Sequence, residues 1–339
     1  MSLRFDVTTQ ELTTRHAFNI SRGGSALWNT VLLQVNETGL EGWGEGYPNP
    51  YYGEDLAGAV AALNDWIARR SSLADLDIGG EMHAFRGPDS ARAALDIAMH
   101  DLQARRGGRT VSEFLEREYR LERRPPARSS FTIGLDSLDK IAEKVREARD
   151  YPVLKVKLGG PEDLAVLEAV RSATGAELRV DANAAWSVEE TLEKAPRLAE
   201  LGVTLLEQPL ARNDLAGYRA LRGKLPMPVY ADESCKHLEH IARLEGAVDG
   251  INIKLSKCGG LWEAARMVRS AREHALGVMI GCFIESSVGI TAAASLAPFA
   301  DALDLDGAAL LAWDPFVGVE IPRGEVRMPR GSGLGVERR

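Results

Sequence analysis

The chain has 339 residues, with 41 Lys and Arg against 49 Asp and Glu, which gives a formal net charge of −8. An acidic chain is a poor general binder of nucleic-acid phosphates and of anionic lipid, so we expect no nucleic acid and no membrane as a partner. Hydrophobic residues make up 45% of the chain and charged residues 27%, which is typical of a folded globular protein and excludes a disordered one.

Sequence signals for location favour the cytoplasm. The chain contains no run of roughly 18–20 apolar residues that could span a bilayer, and its first residues do not show the basic and then apolar pattern of a secretory signal. Three cysteines, Cys235, Cys258 and Cys282, lie in separate segments without a C-x-x-C pattern. An odd number of separated cysteines indicates reduced thiols, and we therefore predict a cytoplasmic protein.

The first part of the chain begins with strand-like segments and continues with helices. Residues 3–9 and 30–37 are rich in Val, Leu and Thr, and the glycine-containing segment 16–24 between them is predicted to be a loop. Gly42-Trp-Gly-Glu-Gly46 does not have its third glycine where a dinucleotide fingerprint requires it, and no βαβ unit surrounds it, so it indicates a strand end or a turn. Residues 90–105 have apolar side chains on one helical face, with Ser90 as the expected N-cap.

After Arg123-Arg-Pro-Pro126, where we place a domain boundary, short apolar segments alternate with helical segments. Eight strand candidates follow at spacings of roughly 20–30 residues, namely 129–133, 153–157, 177–180, 204–207, 229–231, 250–255, 278–283 and 302–306. Eight consecutive units favour a closed (β/α)₈ barrel over an open sheet. We predict an α/β fold in which a TIM-like barrel over residues 123–314 follows a separate domain over residues 1–122.

Three carboxylates recur at the ends of neighbouring barrel strands, where the catalytic groups of such barrels lie. They are Asp181, Glu207 and Asp232, one in each β/α unit. Adjacent strands lie about 4.8 Å apart, so these side chains can converge. Converging carboxylates repel one another unless a cation lies between them, and hard oxygen ligands with room left for water suit Mg²⁺. A helix cap or a surface acid is the alternative for each residue taken alone.

Lysines flank the three acids. Lys155 and Lys157 alternate on the second barrel strand and therefore share one face, whereas Lys254 comes from the sixth strand on the other side. Near a divalent ion and partly desolvated, a lysine amine loses basicity and can act as a general base near neutral pH. An edge charge is the alternative for a single strand lysine. We expect Lys257 to cap the next helix rather than to face the site.

These groups together indicate a reaction at the carbon next to a carboxylate. Binding to Mg²⁺ acidifies the α-proton, because the metal stabilises the enediolate that forms on deprotonation. A base on one face removes the proton and an acid on the other face can return one, which inverts the centre. Lysines on both faces favour racemisation or epimerisation, whereas one lysine alone would suit β-elimination equally well. A binding or sensor protein is the alternative from another class, but it would be expected to lack a lysine or a metal ligand, and none is missing.

Five strand-end motifs resemble the muconate lactonizing enzyme subgroup of the enolase superfamily, and they are Lys155-Val-Lys157, Asp181-Ala-Asn183, Glu207-Gln-Pro209, Asp232-Glu-Ser234 and Asn252-Ile-Lys254. The resemblance covers nearly the whole chain. It implies that the first domain is an α+β cap over the barrel mouth, that the tail 315–339 packs back on it, and that the protein forms a homo-oligomer. The resemblance implies that Asp181, Glu207 and Asp232 bind Mg²⁺. It also implies that Lys157 and Lys254 are the acid/base pair and that Lys155 assists the substrate carboxylate.

Within this subgroup the end of the eighth strand resembles that of dipeptide epimerases. Asp304-Leu-Asp306 is similar to the Asp-x-Asp that holds the α-ammonium of the substrate, and two carboxylates on one strand face suit a cation. A helix cap or turn is the alternative there. Cys282-Phe-Ile-Glu-Ser-Ser287 also resembles these epimerases and makes Glu285 a further substrate-binding candidate. The segment 19–24 is similar to a loop of Ala-Glu epimerases, in which Arg22 would bind the glutamate side chain; a solvated surface arginine is the alternative.

The sequence therefore predicts a Mg²⁺-dependent isomerase that inverts the α-carbon of the C-terminal residue of a dipeptide. L-Ala-D/L-Glu is the leading substrate, and the resemblance implies a role in murein peptide recycling. Other reactions of the subgroup are alternatives, namely o-succinylbenzoate synthesis, muconate cycloisomerisation and N-succinylamino acid racemisation. Asp304 and Asp306 argue against them, because their substrates lack a free ammonium at that place. A dipeptide epimerase of different side-chain specificity is a further alternative.

Overall fold

The computed structural model describes residues 3–21, 23–69 and 77–339. Arg22, which we predicted to bind the substrate side chain, lies outside the described residues. Within these ranges the strands are β1 (Arg4–Ile20), β2 (Gly23–Glu37), β3 (Leu40–Gly46), β4 (Phe131–Ile133), β5 (Val153–Lys157), β6 (Glu177–Asp181), β7 (Val203–Glu207), β8 (Val229–Ala231), β9 (Gly250–Ile253), β10 (Gly277–Gly281), β11 (Ala302–Asp304), β12 (Phe316–Val317) and β13 (Glu337–Arg338). The α-helices there are α1 (Leu56–Ala68), α2 (Ile78–Ala84), α3 (Asp89–Arg106), α4 (Val111–Tyr119), α5 (Leu138–Glu147), α6 (Asp163–Ala173), α7 (Val188–Glu200), α8 (Leu215–Leu221), α9 (Ile241–Leu244), α10 (Leu255–Cys258), α11 (Leu261–Glu273) and α12 (Ser287–Ala294).

The N-terminal part is an antiparallel sheet of order β1-β2-β3 that packs against helices. The loop predicted over residues 16–24 is wrong, because β1 continues to Ile20 and its end pairs with the start of β2 after a register shift between Thr13 and Phe18. Such a shift bends a hairpin without ending its pairing. The tip of the hairpin is tied to the barrel, where Asn19 Nδ2 donates a hydrogen bond to Leu135 O at 3.1 Å.

Glycines in β3 allow the sheet to lie directly on α3. Gly42-Trp-Gly-Glu-Gly46 lies in the body of this strand rather than at a turn. A Cβ atom on Gly44 would lie only 1.9 Å from Ala94 O, so a larger residue would push the helix away from the strand. The glycine pattern that excluded a dinucleotide site therefore serves close packing between a strand and a helix.

The predicted N-cap of α3 is wrong. The helix begins at Asp89 and Ser90 lies inside it. The backbone N–H groups of Asp89 and Ser90 donate hydrogen bonds to the carboxylate of Glu54, at 3.2 Å and 3.1 Å. The acceptor is thus distant in sequence, and a local capping pattern could not have identified it.

The second part is the predicted barrel. Strands β4 to β11 form one parallel sheet in chain order, and a bridge between Ser129 and Leu303 joins its two edges. Apolar side chains of the strands and surrounding helices form the core between them. Strands β9 and β11 end earlier than predicted, so Lys254 and Asp306 lie just beyond the strand ends, at the mouth of the barrel.

The last residues of the chain return to the N-terminal elements. The ring of Phe316 lies 5.1 Å from that of Trp43 in β3. Val111 N donates to Gly333 O at 3.0 Å, which joins the tail to the start of α4. No helix in the described ranges is both long enough and apolar enough to cross a membrane.

Candidate active site

Three carboxylates meet at the C-terminal ends of adjacent strands. Asp181 and Glu207 are the last residues of β6 and β7, and Asp232 follows β8 directly. One oxygen of each carboxylate lies within 4.8 Å of the others. All three side chains are buried. The three acids identified from the sequence are therefore brought together into a single cluster, which we name the three-acid cluster.

The oxygens of this cluster suit a divalent cation. Glu207 Oε1 accepts a hydrogen bond from Asn252 Nδ2 at 2.8 Å, and Oε2 is buried 2.6 Å from the Lys155 ammonium. Burial and the nearby carboxylate of Asp181 raise the pKa of Glu207 to about 7. Buried carboxylates that converge in this way repel one another unless cations lie beside them. Three carboxylates and no softer ligand fit Mg²⁺.

Two lysines flank the three-acid cluster and line the same cavity. Lys157 Nζ lies 2.6 Å from Asp181 Oδ2 at the end of β5, and Lys254 Nζ lies 2.8 Å from Asp232 Oδ2 just after β9. Burial lowers the pKa of Lys254, but the carboxylate of Asp232 outweighs burial and raises it above its usual value. From the sequence we expected a lowered pKa for this lysine, because a divalent cation would balance the carboxylates.

Lys155 is buried beneath the cavity rather than exposed in it. Its Nζ atom lies 2.6 Å from Glu207 Oε2, 2.7 Å from Asp304 Oδ2 and 3.1 Å from Asp181 Oδ2. Burial lowers the pKa of Lys155, but these carboxylates, Asp304 first, raise it well above its usual value. Lys155 is not among the described residues that line the cavity. Its contact with a substrate carboxylate stays a prediction, whereas its contacts with the acids are direct.

Lys257 does not cap the next helix, and that expectation was wrong. Its ammonium donates to Asp232 Oδ1 at 2.6 Å, to Asp232 O at 2.7 Å and to Asn252 O at 2.8 Å. Residues three apart on a helical turn face the same side, so α10 brings Lys257 back to the acid that Lys254 also contacts. Burial raises the pKa of Asp232, but Lys254 and Lys257 outweigh burial and hold it far below its usual range. The spacing of these two lysines was the sequence signal for this contact.

Asp304 and Asp306 lie side by side on the cavity wall. Asp304 Oδ1 accepts from Ser130 Oγ at 2.8 Å, and Asp306 Oδ2 accepts from Thr132 N at 2.6 Å. Burial raises the pKa of Asp304, but the nearby Lys155 outweighs burial and holds it below its usual range. Burial and the charge of Asp304 raise the pKa of Asp306 to about 7. The pair therefore offers a cation one carboxylate that is ionised and one that ionises near neutral pH.

Glu285 lies behind the cavity wall. Its Oε1 accepts from Ser256 Oγ at 2.6 Å and its Oε2 from Phe283 N at 3.1 Å. Burial, together with the carboxylate of Glu45, raises the pKa of Glu285 to about 7. Glu285 is not among the described lining residues, so its contact with substrate stays a prediction.

Sequence reasoning missed the aromatic wall of the cavity. The cavity has a volume of about 670 Å³ and lies between the N-terminal part and the barrel mouth. Four aromatic rings follow one another along this wall. The ring centroids lie 6.2 Å apart for Phe18 and Trp28, 5.8 Å for Trp28 and Tyr47, and 5.2 Å for Tyr47 and Phe283. These side chains come from separate segments, so only the fold brings them together. Their rings form one apolar surface beside Lys254.

Comparisons with known proteins agree over the whole chain. Residues 4–115 match the profile of the mandelate racemase / muconate lactonizing enzyme N-terminal domain, and residues 138–339 match the enolase C-terminal domain-like profile. The L-Ala-D/L-amino acid epimerase of Flavobacterium johnsoniae is 37% identical over 96% of each chain. The hydrophobic dipeptide epimerase of Roseobacter litoralis is 37% identical over 95% of each chain.

A solved structure gives the same result in three dimensions. The dipeptide epimerase of Enterococcus faecalis V583, complexed with Mg and L-Leu-L-Tyr, has a TM-score of 0.92 and is 30% identical over 100% of each chain. The resemblance inferred from the strand-end motifs is thereby confirmed. The chain belongs to the mandelate racemase / muconate lactonizing enzyme family of the enolase superfamily, among its dipeptide epimerases.

Proposed function

We propose that this protein is a Mg²⁺-dependent epimerase that inverts the α-carbon of the C-terminal residue of a dipeptide. The observation that carries the proposal is the arrangement of Lys157 and Lys254 on either side of the three-acid cluster, within one cavity. The relatives named as dipeptide epimerases, which are isomerases, support the same reaction.

The cavity offers a site for each charged end of a dipeptide. Asp304 and Asp306 would bind the α-ammonium, because their carboxylates accept the hydrogen bonds that the ammonium makes to water before it binds. Asp181, Glu207 and Asp232 would hold Mg²⁺, which when bound supplies a Lewis acid for the substrate carboxylate and for the negative charge that develops on it. The α-carbon of the second residue would then lie between the two lysines.

Lys157 and Lys254 would share the proton transfer. One amine removes the α-proton from one face, and the ammonium on the opposite face returns a proton, so that the carbon is inverted. Lys155 would keep the acids in place as a buried counter-ion, since it contacts Asp181, Glu207 and Asp304 at once. The free ammonium site at Asp304 and Asp306 favours a dipeptide over the substrates of the other subgroup reactions.

Two side-chain specificities compete within this proposal. L-Ala-D/L-Glu is the leading substrate if Arg22 contributes a guanidinium to the cavity. An apolar second residue is the other candidate, and the rings of Phe18, Trp28 and Phe283 favour it. Among the described residues that line the cavity, the cations are Lys157 and Lys254.

The setting of the reaction is also a proposal. The three unpaired cysteines suit a reducing cytoplasm, where an Ala-Glu epimerase would serve murein peptide recycling. A homo-oligomer, which the resemblance to the family implies, is also part of the proposal. We propose that the capping domain ends at residue 122, between α4 and β4, and that residues 315–339 pack on it.

The decisive experiment is deuterium exchange. With Mg²⁺ and L-Ala-L-Glu or L-Ala-L-Phe in D₂O, deuterium should enter the α-position of the second residue as the other epimer appears. Lys157→Ala and Lys254→Ala should each abolish epimerisation, whereas Lys194→Ala, a lysine near Trp186 and outside the cavity, should not. If a panel of dipeptides shows no exchange, or if either catalytic variant epimerises at the normal rate, the proposal is wrong.

A further inference from the structure

Glu45 is a buried carboxylate of β3 that bonds to the turn between β10 and α12. Its Oε1 accepts a hydrogen bond from Ser286 N at 3.0 Å, and its Oε2 accepts from Ser286 Oγ at 2.6 Å and from Gly289 N at 2.9 Å. The residue is 0% exposed. It is not among the described residues that line the cavity, and it has no part in the reaction described above.

The same turn carries the residue that covers one catalytic lysine. The ring of Phe283 lies 4.8 Å from Lys254 Nζ, within the range of a cation–π contact. Phe283 N donates to Glu285 Oε2 at 3.1 Å, so the backbone of the turn is held from inside. Lys157 lies on the other side of the three-acid cluster, where its partner is Asp181 at 2.6 Å.

A second contact links the end of β3 to this turn. Tyr47 N donates to Ser256 Oγ at 2.9 Å, and Ser256 Oγ donates to Glu285 Oε1 at 2.6 Å. The ring of Tyr47 also contacts that of Phe283. The strand that carries Glu45 therefore reaches the turn at two separate points.

The turn is shaped around its two acids. A Cβ atom on Gly289 would lie 3.0 Å from Glu285 Cβ and 3.1 Å from Glu45 Oε2. Both contacts are tighter than most Cβ contacts, so a larger residue at this position would make Glu285 or Glu45 shift by a few tenths of an ångström. Loss of the Glu45 bonds would leave the backbone N–H groups of this turn without their acceptor.

We propose that Glu45 is a positioning residue for the Lys254 side of the reaction, because it holds the turn that keeps the Phe283 ring against the Lys254 ammonium. This inference rests on the proposed function. Since Lys157 lies away from the turn, Glu45 acts on proton transfer at one face of the substrate and not at the other.

The test compares the two faces separately. Glu45→Gln keeps the shape of the side chain but turns one acceptor oxygen into an amide donor that faces other donors. Asp314→Asn is the matched control, because Asp314 bonds to the same helix end through Ser287 N (2.9 Å) and Ser287 Oγ (2.7 Å) without holding residues 283–286. Each change is combined with Lys157→Ala, which leaves Lys254 as the base. It is also combined, in a separate variant, with Lys254→Ala, which leaves Lys157 as the base. The readout is the rate of α-deuterium entry into each epimer.

Glu45→Gln should lower exchange about tenfold when Lys254 is the remaining base, and by less than about twofold when Lys157 is. Asp314→Asn should change both rates by the same factor. An equal effect of Glu45→Gln on both faces would overturn the inference. Ser286→Ala removes one bond to Glu45 together with the N-cap bond from Val288 N, and it should show the same asymmetry at smaller size if Glu45→Gln folds poorly.

A second measurement covers the case in which the single-lysine variants exchange too slowly to follow. In the enzyme with both lysines, Glu45→Gln should change the primary deuterium isotope effect on kcat for one epimer only, and equal changes for both epimers would refute the role. Absence of exchange by the parent enzyme with every dipeptide would instead refute the proposed function. The two failures are therefore distinguishable.

Discussion

Lys155 Nζ lies 2.7 Å from Asp304 Oδ2, and this contact joins the middle of the second barrel strand to the end of the eighth. The same ammonium reaches Glu207 and Asp181. A single buried cation thus connects the acids proposed for the metal with the acid proposed for the substrate ammonium. Lys155 is 1% exposed, so solvent screens its interactions with these carboxylates only weakly.

Replacing Lys155 by Met should destabilise the fold strongly. Removal of one partner leaves buried carboxylates uncompensated, which costs about 3–5 kcal/mol in the free energy of unfolding. Chemical denaturation measures this loss. Lys140→Met is the control, because Lys140 pairs with Asp136 at 3.5 Å with 66% of its side chain exposed, and such a pair contributes about 0.5 kcal/mol or less. Equal losses for the two variants would show that Lys155 is not the counter-ion of the site.

Glu207→Gln should remove the stabilisation of the protein by Mg²⁺. A ligand that binds only the folded state at a hundredfold excess over its Kd adds about 2.7 kcal/mol to the free energy of unfolding. The variant keeps the shape of the side chain but loses a charged oxygen of the three-acid cluster. Thermal unfolding with and without Mg²⁺ measures the effect.

Glu285→Gln is the control for this metal experiment. Glu285 is also a buried acid near the barrel mouth, but it does not belong to the three-acid cluster. The Glu285→Gln variant should therefore still show the rise in Tm on addition of Mg²⁺. A rise of normal size in Glu207→Gln would remove Glu207 from the metal site.

The repeating pattern of the barrel explains why its strands and acids could be predicted. Each β/α unit is local in sequence, and the strand ends are where Asp181, Glu207 and Asp232 stand, so chain order alone places them on neighbouring strands. The adjacency of these three strands is enough to predict that the acids of the three-acid cluster lie close together.

The features that the sequence did not reveal depend on contacts between distant segments. The cap of α3 comes from Glu54, and the turn after β10 is held by Glu45. The end of β9 was missed because Lys254 is followed directly by a short helix, α10, that returns Lys257 to Asp232. No periodic pattern encodes such contacts, since they depend on how the two parts of the chain pack.

Asp306 should make the stability of the metal-free protein fall as the pH rises. Burial and the charge of Asp304 raise its pKa to about 7 from an ordinary value of 3.8. Between these values the folded state holds a proton that the unfolded state has released, so the stabilisation is complete below pH 3.8 and is lost as the pH rises through 7. Asp306→Asn removes this dependence.

The advantage of Asp306→Asn over the parent should therefore grow between pH 5 and pH 8, by at most about 1.4 kcal/mol per pH unit. Urea unfolding with a chelator present, at several pH values, measures the difference. Asp65→Asn is the control, because it removes an acid whose side chain is 53% exposed and does not line the cavity. A flat difference for Asp306→Asn would contradict the raised pKa.

Arg22→Met should separate the two side-chain specificities. If the guanidinium binds a substrate glutamate, its loss removes a charge-assisted, bidentate contact and should raise KM for L-Ala-L-Glu about tenfold or more. L-Ala-L-Phe, which would rest on the rings of Phe18, Trp28 and Phe283, should be little affected. Phe18→Ala is the reciprocal variant and should weaken the apolar dipeptide more than the acidic one. Steady-state rates of epimerisation with both dipeptides measure the two effects. An equal loss on both substrates in Arg22→Met would show that Arg22 does not select the side chain, and the aromatic wall would then be the determinant of specificity.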